Sequence, residues 1–213
     1  MNKNLSIKEK QKEFLEIWKQ ANKKYGKNKK RLAGEGWKKD WQLLITTMLS
    51  AQSRDEITIP VAEALFKKYK TLNEIANATK EELKEDIKKI NYNETKAKHI
   101  KQTTQILLEK HKGKVPRTKE ELIKMPGIGI KTANLVLAEL YDEQEICVDT
   151  HVHRIANVFE LVKTKTPEQT EKELKKIVPK KYRNKINRIF VLWGQEVKGK
   201  NPEKFLEKLK EKN

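Results

Sequence analysis

Apolar residues recur at helical spacing along nearly the whole chain, and no segment alternates apolar and polar residues as a half-buried strand does. Near the N-terminus, Phe14, Ile17, Trp18 and Ala21 fall on one face of a helix. Residues 41–52 are almost uniformly apolar and predict a helix at the centre of the core. The spacing therefore predicts an all-α fold, with about ten helices and no sheet.

Several helix starts carry their own signals. Thr79, Thr118 and Thr166 are each followed three positions later by Glu or Gln, which is the capping-box pattern. Pro60 suits the first turn of a helix that runs to about Tyr69, because proline is favoured where a helix begins. These signals divide the chain into short helices rather than a few long ones.

The net charge indicates a partner class without deciding it. The 213 residues include 48 Lys and Arg against 30 Asp and Glu, a formal charge of +18. Such an excess is typical of proteins that bind nucleic acid. However, 42 of the 48 basic residues are Lys, and a general lysine bias would produce the same charge.

Other protein classes are excluded by what the sequence lacks. No stretch approaches the roughly 18 consecutive apolar residues of a membrane-spanning helix. Residues 1–8 lack the apolar segment of a secretory signal, so we expect an intracellular, cytoplasmic protein. The single cysteine, Cys147, excludes an internal disulfide framework and an all-cysteine metal site.

Two glycines lie close together between two predicted helices, in the segment Met125-Pro126-Gly127-Ile128-Gly129-Ile130-Lys131-Thr132. A dinucleotide-binding fingerprint needs a preceding strand and a third glycine, and a phosphate-binding loop needs Gly directly before Lys, so neither fits. Glycines let a backbone approach another molecule closely, and the first amides of the following helix can bind a phosphate oxygen. The segment fits a helix-hairpin-helix that grips the DNA backbone, with a purely structural turn between helices as the alternative.

Lys131 stands in the first turn of the helix after this hairpin, where the helix dipole disfavours a cation. A solvated lysine tolerates such a position at little cost. A nucleophilic amine must instead be neutral, and partial burial beside a helix N-terminus favours the neutral form. We therefore expect Lys131 to be partly buried, and we single it out as a candidate nucleophile.

A second candidate follows about 18 residues later. Cys147, Asp149, His151 and His153 occupy alternate positions, which on a strand would suit zinc. The apolar residues that follow have helical spacing, so a helix begins near Thr150 and the two histidines point about 200° apart, which disfavours zinc. Asp149 then falls at the N-cap, where its carboxylate bonds the first amides and stays ionised. An ionised carboxylate suits displacement at a sugar carbon, because it can stabilise a developing oxocarbenium ion.

The hairpin and the Val148-Asp149-Thr150-His151 segment together resemble the endonuclease III family, the bifunctional branch of the helix-hairpin-helix DNA glycosylases. The resemblance covers about residues 41–194, including Leu49-Ser50-Ala51-Gln52 and residues 110–116. It implies a six-helix barrel domain at 33–145 that contains the hairpin. It also implies a second helical domain formed by 1–32 and 146–213, with a DNA cleft between the two.

The resemblance also implies roles for single residues. Lys131 matches the lysine that forms the family's Schiff base, and Asp149 matches its essential aspartate. Gln52 matches the glutamine that fills the space left by the extruded base, and Tyr92 falls where the family carries an intercalating loop residue. The further DNA-binding residues that the resemblance implies are Gly127, Ile128, Gly129, Thr132, His151 and Arg154.

One departure from the family concerns its cofactor. Members usually carry four cysteines that bind a [4Fe–4S] cluster after the region that matches Trp193-Gly194, whereas no cysteine follows Gly194 here. We therefore expect a member without the cluster, with no cofactor and no metal site beyond a monovalent cation on hairpin backbone carbonyls. Lys198, Lys200 and Lys204 are candidates to replace the DNA contacts of the cluster loop.

The function that this resemblance implies is base excision repair. The enzyme would remove oxidised pyrimidines as a DNA glycosylase through a Lys Schiff base, and would nick the strand by β-elimination as an AP lyase. Its predicted partner is double-stranded DNA with a damaged base or an abasic site, bound by a monomer associated with the nucleoid and not with a membrane. The alternatives are a lyase-competent glycosylase for oxidised purines and a non-catalytic helix-hairpin-helix DNA-binding module.

Overall fold

The computed structural model describes residues 5–211 and contains twelve helices over that range, with no strand. The all-α prediction is confirmed, and the number of helices exceeds the predicted ten. Residues 1–4, on which part of the signal-peptide argument rests, lie outside the described range, as do residues 212 and 213. The helices are α1 (Ile7–Tyr25), α2 (Asp40–Ser50), α3 (Asp55–Lys68), α4 (Leu72–Asn77), α5 (Lys80–Asp86), α6 (Asn93–His111), α7 (Lys119–Leu122), α8 (Ile130–Tyr141), α9 (Thr150–Val158), α10 (Pro167–Ile177), α11 (Lys180–Glu196) and α12 (Pro202–Lys210).

The predicted capping residues begin the helices they were expected to begin. Thr79, Thr118 and Thr166 are the N-caps of α5, α7 and α10, and each hydroxyl accepts a hydrogen bond from the amide three residues later. The short helix α4 was not predicted; its N-cap Thr71 accepts a bond from the Glu74 amide. Local capping chemistry therefore fixes these four helix starts, those of α4, α5, α7 and α10.

The prediction for Pro60 is wrong. Helix α3 begins at Asp55, so Pro60 lies inside the helix rather than in its first turn. Asp55 and Glu56 occupy the first turn, where the helix dipole favours acidic side chains. Proline in the interior removes one backbone hydrogen bond, but the helix continues through it to Lys68.

The described chain divides into two compact units, with boundaries at residues 30/31 and 143/144. The internal unit runs from Arg31 to Glu143 and contains α2 to α8. The terminal unit combines the residues up to Lys30 with those from Gln144 onward, and contains α1 and α9 to α12. The sequence-based boundaries at 33 and 145 lie within two residues of these positions.

The internal unit is built around α2. Leu44, Ile45 and Leu49 of this helix are fully buried, and the aromatic rings of Trp41 and Phe66 meet edge to face at 5.3 Å. The helix ends at Ser50, two residues earlier than the apolar run suggested, so Gln52 lies in the turn that follows. That turn places Gln52 outside the core.

The terminal unit has an aromatic core. The α1 residues that the sequence assigned to one face are buried, and Trp18 packs against Tyr182 of α11 with ring centroids 5.4 Å apart. Trp193 and Phe205 are fully buried, and the Trp193 indole N–H donates to the Phe205 carbonyl at 3.1 Å. These contacts hold α12 against α11. Within residues 5–211, no helix is both long and apolar enough to cross a membrane.

Candidate nucleic-acid interface and catalytic residues

The hairpin lies in the internal unit between α7, which ends at Leu122, and α8, which begins at Ile130. Met125 and Ile128 are buried, and the Ile128 amide donates to the Met125 carbonyl at 3.2 Å. The side chain of Ile128, one of the predicted DNA-binding residues, is thus part of the core. Only its backbone is available to a ligand.

The two hairpin glycines differ in what requires them. Gly127 has φ +76°, and a Cβ there would lie 2.7 Å from His99 Nδ1 and 2.9 Å from His99 Cβ. Gly129 has φ −91°, which any residue adopts, and a Cβ there would have no atom of the described chain within 4 Å. The fold itself therefore requires glycine at 127, whereas nothing within residues 5–211 requires it at 129. A close approach by another molecule would require it.

Gly129 is the N-cap of α8 and supplies no side-chain cap. At any helix start the first amides have no carbonyl partner one turn earlier within the helix. The first turn contains no acidic residue. This helix start can therefore accept an anion from outside the protein.

The expectation that Lys131 is partly buried is wrong, because its side chain is exposed. The buried face of α8 is formed by Thr132, Ala133, Val136 and Leu137, and Lys131 lies away from it. The Thr132 side chain is buried, so, like Ile128, it can meet DNA only through its backbone. Lys131 thus presents its amine at the surface directly after the hairpin.

The structure brings Gln52 and Tyr92 together. Both are exposed residues with left-handed backbone conformation, at φ 55° and 58°, and Tyr92 is 65% exposed. The neighbouring Asn91 side chain donates from Nδ2 to the Gln52 carbonyl at 2.7 Å. The two predicted DNA-penetrating residues therefore stand on adjoining turns of the internal unit.

One face of α6 supports both the Gln52 turn and the hairpin. Lys96 Nζ donates to the carbonyls of Leu49 and Ala51, at 2.7 and 2.6 Å, just before Gln52. His99 packs beneath Gly127, and Thr103 Oγ1 donates to the Pro126 carbonyl at 3.0 Å. The residues at 96, 99 and 103 have the i, i+3, i+7 spacing of one helix face. Sequence reasoning missed these supports; the spacing was present in the sequence, but nothing marked which segments it would contact.

Asp149, in the terminal unit, is the N-cap of α9 as the spacing predicts. Its Oδ1 accepts hydrogen bonds from the amides of His151 and Val152, at 3.0 and 2.8 Å. Its second oxygen, Oδ2, takes part in neither bond. The carboxylate is held by the backbone while one oxygen remains for another charge.

His151 and Arg154 follow Asp149 on α9 and contact residues of the same unit. Arg154 Nη2 donates to the carbonyls of Gly194 and Val197, at 2.5 and 2.9 Å, and burial lowers the pKa of Arg154. A Cβ at Gly194 would lie 2.5 Å from His151 Nδ1, so that glycine makes room for the imidazole. Among the described residues, no group of three His, Cys, Asp or Glu side chains could hold a metal ion.

Comparison with known proteins places the chain in a family. Residues 45–180 match the HhH-GPD superfamily of base excision DNA repair proteins. The endonuclease III of Thermotoga maritima is 44% identical over 163 residues, which cover 76% of each protein. The endonuclease III-like protein 1 of Mus musculus is 36% identical over 74% of this chain and 53% of its own length.

The fold agrees with this sequence similarity. A solved structure of a trapped endonuclease III–DNA covalent intermediate matches 91% of this chain and 90% of its own, with a TM-score of 0.83 at 30% identity. A non-covalent endonuclease III–DNA complex matches with a TM-score of 0.81. The chain belongs to the endonuclease III family. The predicted family and enzyme class are thereby confirmed: it is a DNA glycosylase and AP lyase of base excision repair, and it binds DNA.

The residues present do not fit the iron–sulfur cluster usual in the endonuclease III family. A [4Fe–4S] cluster needs four cysteine thiolates, and residues 1–213 contain one, the buried Cys147. The segment after Trp193 is held instead by the Arg154 bonds and by the buried Phe205. Lys198, Lys200 and Lys204 are exposed on this segment.

Proposed function

We propose that this member of the endonuclease III family removes oxidised pyrimidines from duplex DNA and nicks the strand at the resulting abasic site, with Lys131 as nucleophile and Asp149 as its electrostatic partner. The observation that carries the proposal is the exposure of Lys131 directly after Gly129, the N-cap of α8, which has no side chain. Phosphate contact and nucleophile would then come from one short segment.

The hairpin would hold the DNA backbone. The N-terminal amides of α8 suit a phosphate oxygen, because a helix start offers unpaired N–H groups and a positive dipole end. The absence of a side chain at Gly129 lets the strand approach those amides closely. Contacts of this kind position the protein without reading sequence, which suits an enzyme that must inspect any sequence. A monovalent cation on the hairpin carbonyls remains part of the proposal.

The chemistry begins with the damaged nucleotide extruded from the duplex. The neutral amine of Lys131 attacks C1′ of the deoxyribose; a bond forms between Nζ and C1′, and the bond between C1′ and the base breaks. Opening of the sugar gives an imine between Nζ and C1′. The imine acidifies the C2′ proton, whose loss expels the 3′ phosphate and cuts the strand.

Asp149 would stabilise the positive charge that grows on the sugar as the base departs. Two backbone amides hold its Oδ1, so the carboxylate needs no reorganisation when the charge develops. Preorganised charges of this kind contribute strongly to catalysis. Oδ2, which accepts neither backbone bond, is the atom that we assign to this role.

Gln52 and Tyr92 would enter the duplex at the extruded nucleotide. Both side chains are exposed, and both stand on turns tied together through Asn91. Filling the vacated space offsets the unstacking and unpairing free energy of extrusion, which is a few kcal/mol. The proposed preference for oxidised pyrimidines rests on the similarity to endonuclease III. A monomer acting on the chromosome in the cytoplasm completes the proposal.

Borohydride trapping tests the nucleophile. The protein is incubated with a duplex that carries an abasic site or thymine glycol, and borohydride reduces any imine to a stable cross-link. We expect a cross-link with the wild-type protein and none with Lys131→Gln. Lys124→Gln removes another exposed charge before the same hairpin and should leave the cross-link intact.

The outcomes separate the two parts of the proposal. A Lys131→Gln protein that still cross-links would assign the imine to another amine. Base release measured on duplexes with thymine glycol and with 8-oxoguanine tests the substrate class. Faster release of 8-oxoguanine would replace oxidised pyrimidines with oxidised purines and leave the role of Lys131 unchanged.

A further inference from the structure

Lys96 is a buried lysine that neither the family resemblance nor the proposed chemistry uses. Its residue is only 8% exposed, although lysine is among the residues least often buried. Within residues 5–211 its ammonium group forms no ion pair with a carboxylate. It donates instead to two backbone carbonyls, those of Leu49 at 2.7 Å and Ala51 at 2.6 Å.

These carbonyls belong to the C-terminal end of α2. The last carbonyls of a helix have no partner within the helix, and the dipole there is negative, so a cation is favoured. Lys96 therefore caps α2 from another helix, α6. Removing a buried ammonium from water is unfavourable, and the two carbonyl bonds compensate for it. A lysine kept buried in this way indicates that the end of α2 must be held in one geometry, in addition to being packed.

The capped end leads directly into Gln52. Glutamine at φ 55° is strained, since non-glycine residues in the left-handed region persist only where their surroundings hold them. The Gln52 carbonyl is taken by Asn91, one residue before Tyr92. Side chains from one short segment, 91–96, thus bind the carbonyls of residues 49, 51 and 52.

We propose that Lys96, assisted by Asn91, is the positioning residue that fixes Gln52 and Tyr92 as one unit for entry into the duplex. The inference rests on the proposed role of those two side chains in DNA. Lys96 acts through the backbone of the Gln52 turn and does not touch the substrate. Without the Lys96 ammonium group the Gln52 turn is free to leave its strained conformation, and the side chains of Gln52 and Tyr92 are no longer held together.

A matched control exists on the same helix. Lys101 donates to the carbonyls of Ala76 and Ala78, at 3.4 and 2.6 Å, and so caps the C-terminal end of α4 in the same way. That end carries no residue assigned to DNA. Lys96→Met and Lys101→Met therefore remove the same chemical interaction, and only the first removes it beside Gln52.

The test measures single-turnover incision of a duplex with a central abasic site, with enzyme in excess. We expect Lys96→Met to slow incision at least about tenfold, because a misplacement of about 1 Å can cost up to about 100-fold in rate. Lys101→Met should keep the wild-type rate, although both variants lose a helix cap and melt at lower temperature. Equal rates for the two variants would overturn the proposal.

A double-mutant cycle separates positioning from general loss of structure. If Lys96 acts through Gln52, then Lys96→Met should slow Gln52→Ala by less than about twofold, whereas independent effects would multiply. Multiplied losses would overturn the proposal. Should Lys96→Met fail to fold, Asn91→Ala takes its place in the cycle, because Asn91 is exposed and its side-chain amide holds the same turn. We expect Asn91→Ala to slow incision about threefold. Combined with Gln52→Ala, it should cause no further loss.

A binding measurement is independent of the chemistry. The fluorescent base 2-aminopurine is placed opposite a non-cleavable abasic analogue, where it reports entry of side chains into the duplex. We expect the wild-type protein and Lys101→Met to change its fluorescence equally and Lys96→Met to change it by less than half as much. An unchanged signal with Lys96→Met would contradict positioning. The readout does not involve Lys131, so a failure of the proposed nucleophile would be recognised separately.

Discussion

The starts of α8 and α9 present the same backbone groups and use them in opposite ways. At α8 the N-cap is Gly129, which has no side chain to cap the amides, and the exposed Lys131 occupies the first turn. At α9 the N-cap is Asp149, whose own carboxylate accepts the bonds of two amides. One start is left for an external anion, and the other holds an internal one.

The difference shows how one local rule serves two purposes. Every helix start offers unpaired N–H groups and a positive dipole end. Where the protein supplies no acid, the site suits a phosphate, and where it supplies one, the backbone amides fix that acid in place. In the function proposed above, the N-cap residue Gly129 serves DNA binding and the N-cap residue Asp149 serves catalysis.

Of the changes at these two helix starts, Asp149→Asn is expected to have the largest effect. Asparagine caps a helix about as well as aspartate, so stability and DNA affinity should stay close to the wild type. Removing the charge should slow base excision at least about 100-fold, since loss of one preorganised electrostatic group typically costs about 10² to 10³ in rate. Single-turnover excision and fluorescence anisotropy on the same duplex check the two parts. Excision at the wild-type rate would refute the catalytic role of this carboxylate.

A smaller effect is expected when α8 is made to resemble α9. Gly129→Asp places a carboxylate at a position where the fold leaves room for a side chain and where any residue can adopt the backbone conformation. The stability should change by only a few tenths of a kcal/mol, while the Kd for undamaged duplex should rise about tenfold or more through repulsion of the phosphate. The slope of log affinity against log salt should fall by about one for each phosphate that the variant no longer binds.

Gly129→Ser provides the neutral control for this change. It adds a side chain and a helix cap without a charge, so it should weaken binding less than the aspartate does. If both variants bind DNA as tightly as the wild type, the start of α8 does not contact phosphate.

The smallest effect concerns a third helix end, the C-terminus of α2. Burial lowers the pKa of Lys96 to about 8 from an ordinary 10.5. Above pH 8 the folded chain loses this proton while the unfolded chain keeps it, so the free energy of unfolding rises with pH relative to a variant without the group. Between pH 7 and 9 we expect wild type to gain about 1 kcal/mol over Lys96→Met, since one pKa unit corresponds to about 1.4 kcal/mol. Urea unfolding at both pH values measures this gain, and a constant difference between the two proteins would contradict it.

The sequence predicted those features that depend on residues close together in the chain. The helix face of Phe14, Trp18 and Ala21 and the N-cap at Asp149 follow from spacing over a few residues, and the structure confirms both. Pro60 was misplaced because two acidic residues upstream begin α3 earlier than proline preference suggests. Local signals compete, and their relative strength is not readable from one motif.

Features that depend on distant contacts were beyond prediction. Lys131 is exposed because it does not lie on the face of α8 that packs on the core. Lys96 and His99 looked like ordinary helix residues, because their partners lie 47 residues before the first and 28 after the second. The packing of the folded chain, rather than any short motif, gives these residues their importance.

The shared face of α6 has a consequence for how damage is sought. Lys96 and Thr103 are seven residues apart, so about 10 Å of rigid helix, at 1.5 Å per residue, separates the support of the Gln52 turn from that of the hairpin. The distance between the Gln52 turn and the hairpin is thus set by a rigid helix and not by a flexible connection. With DNA contacts at both loops as proposed, strain during inspection would fall on the nucleic acid, where a base pair already weakened by damage would yield first.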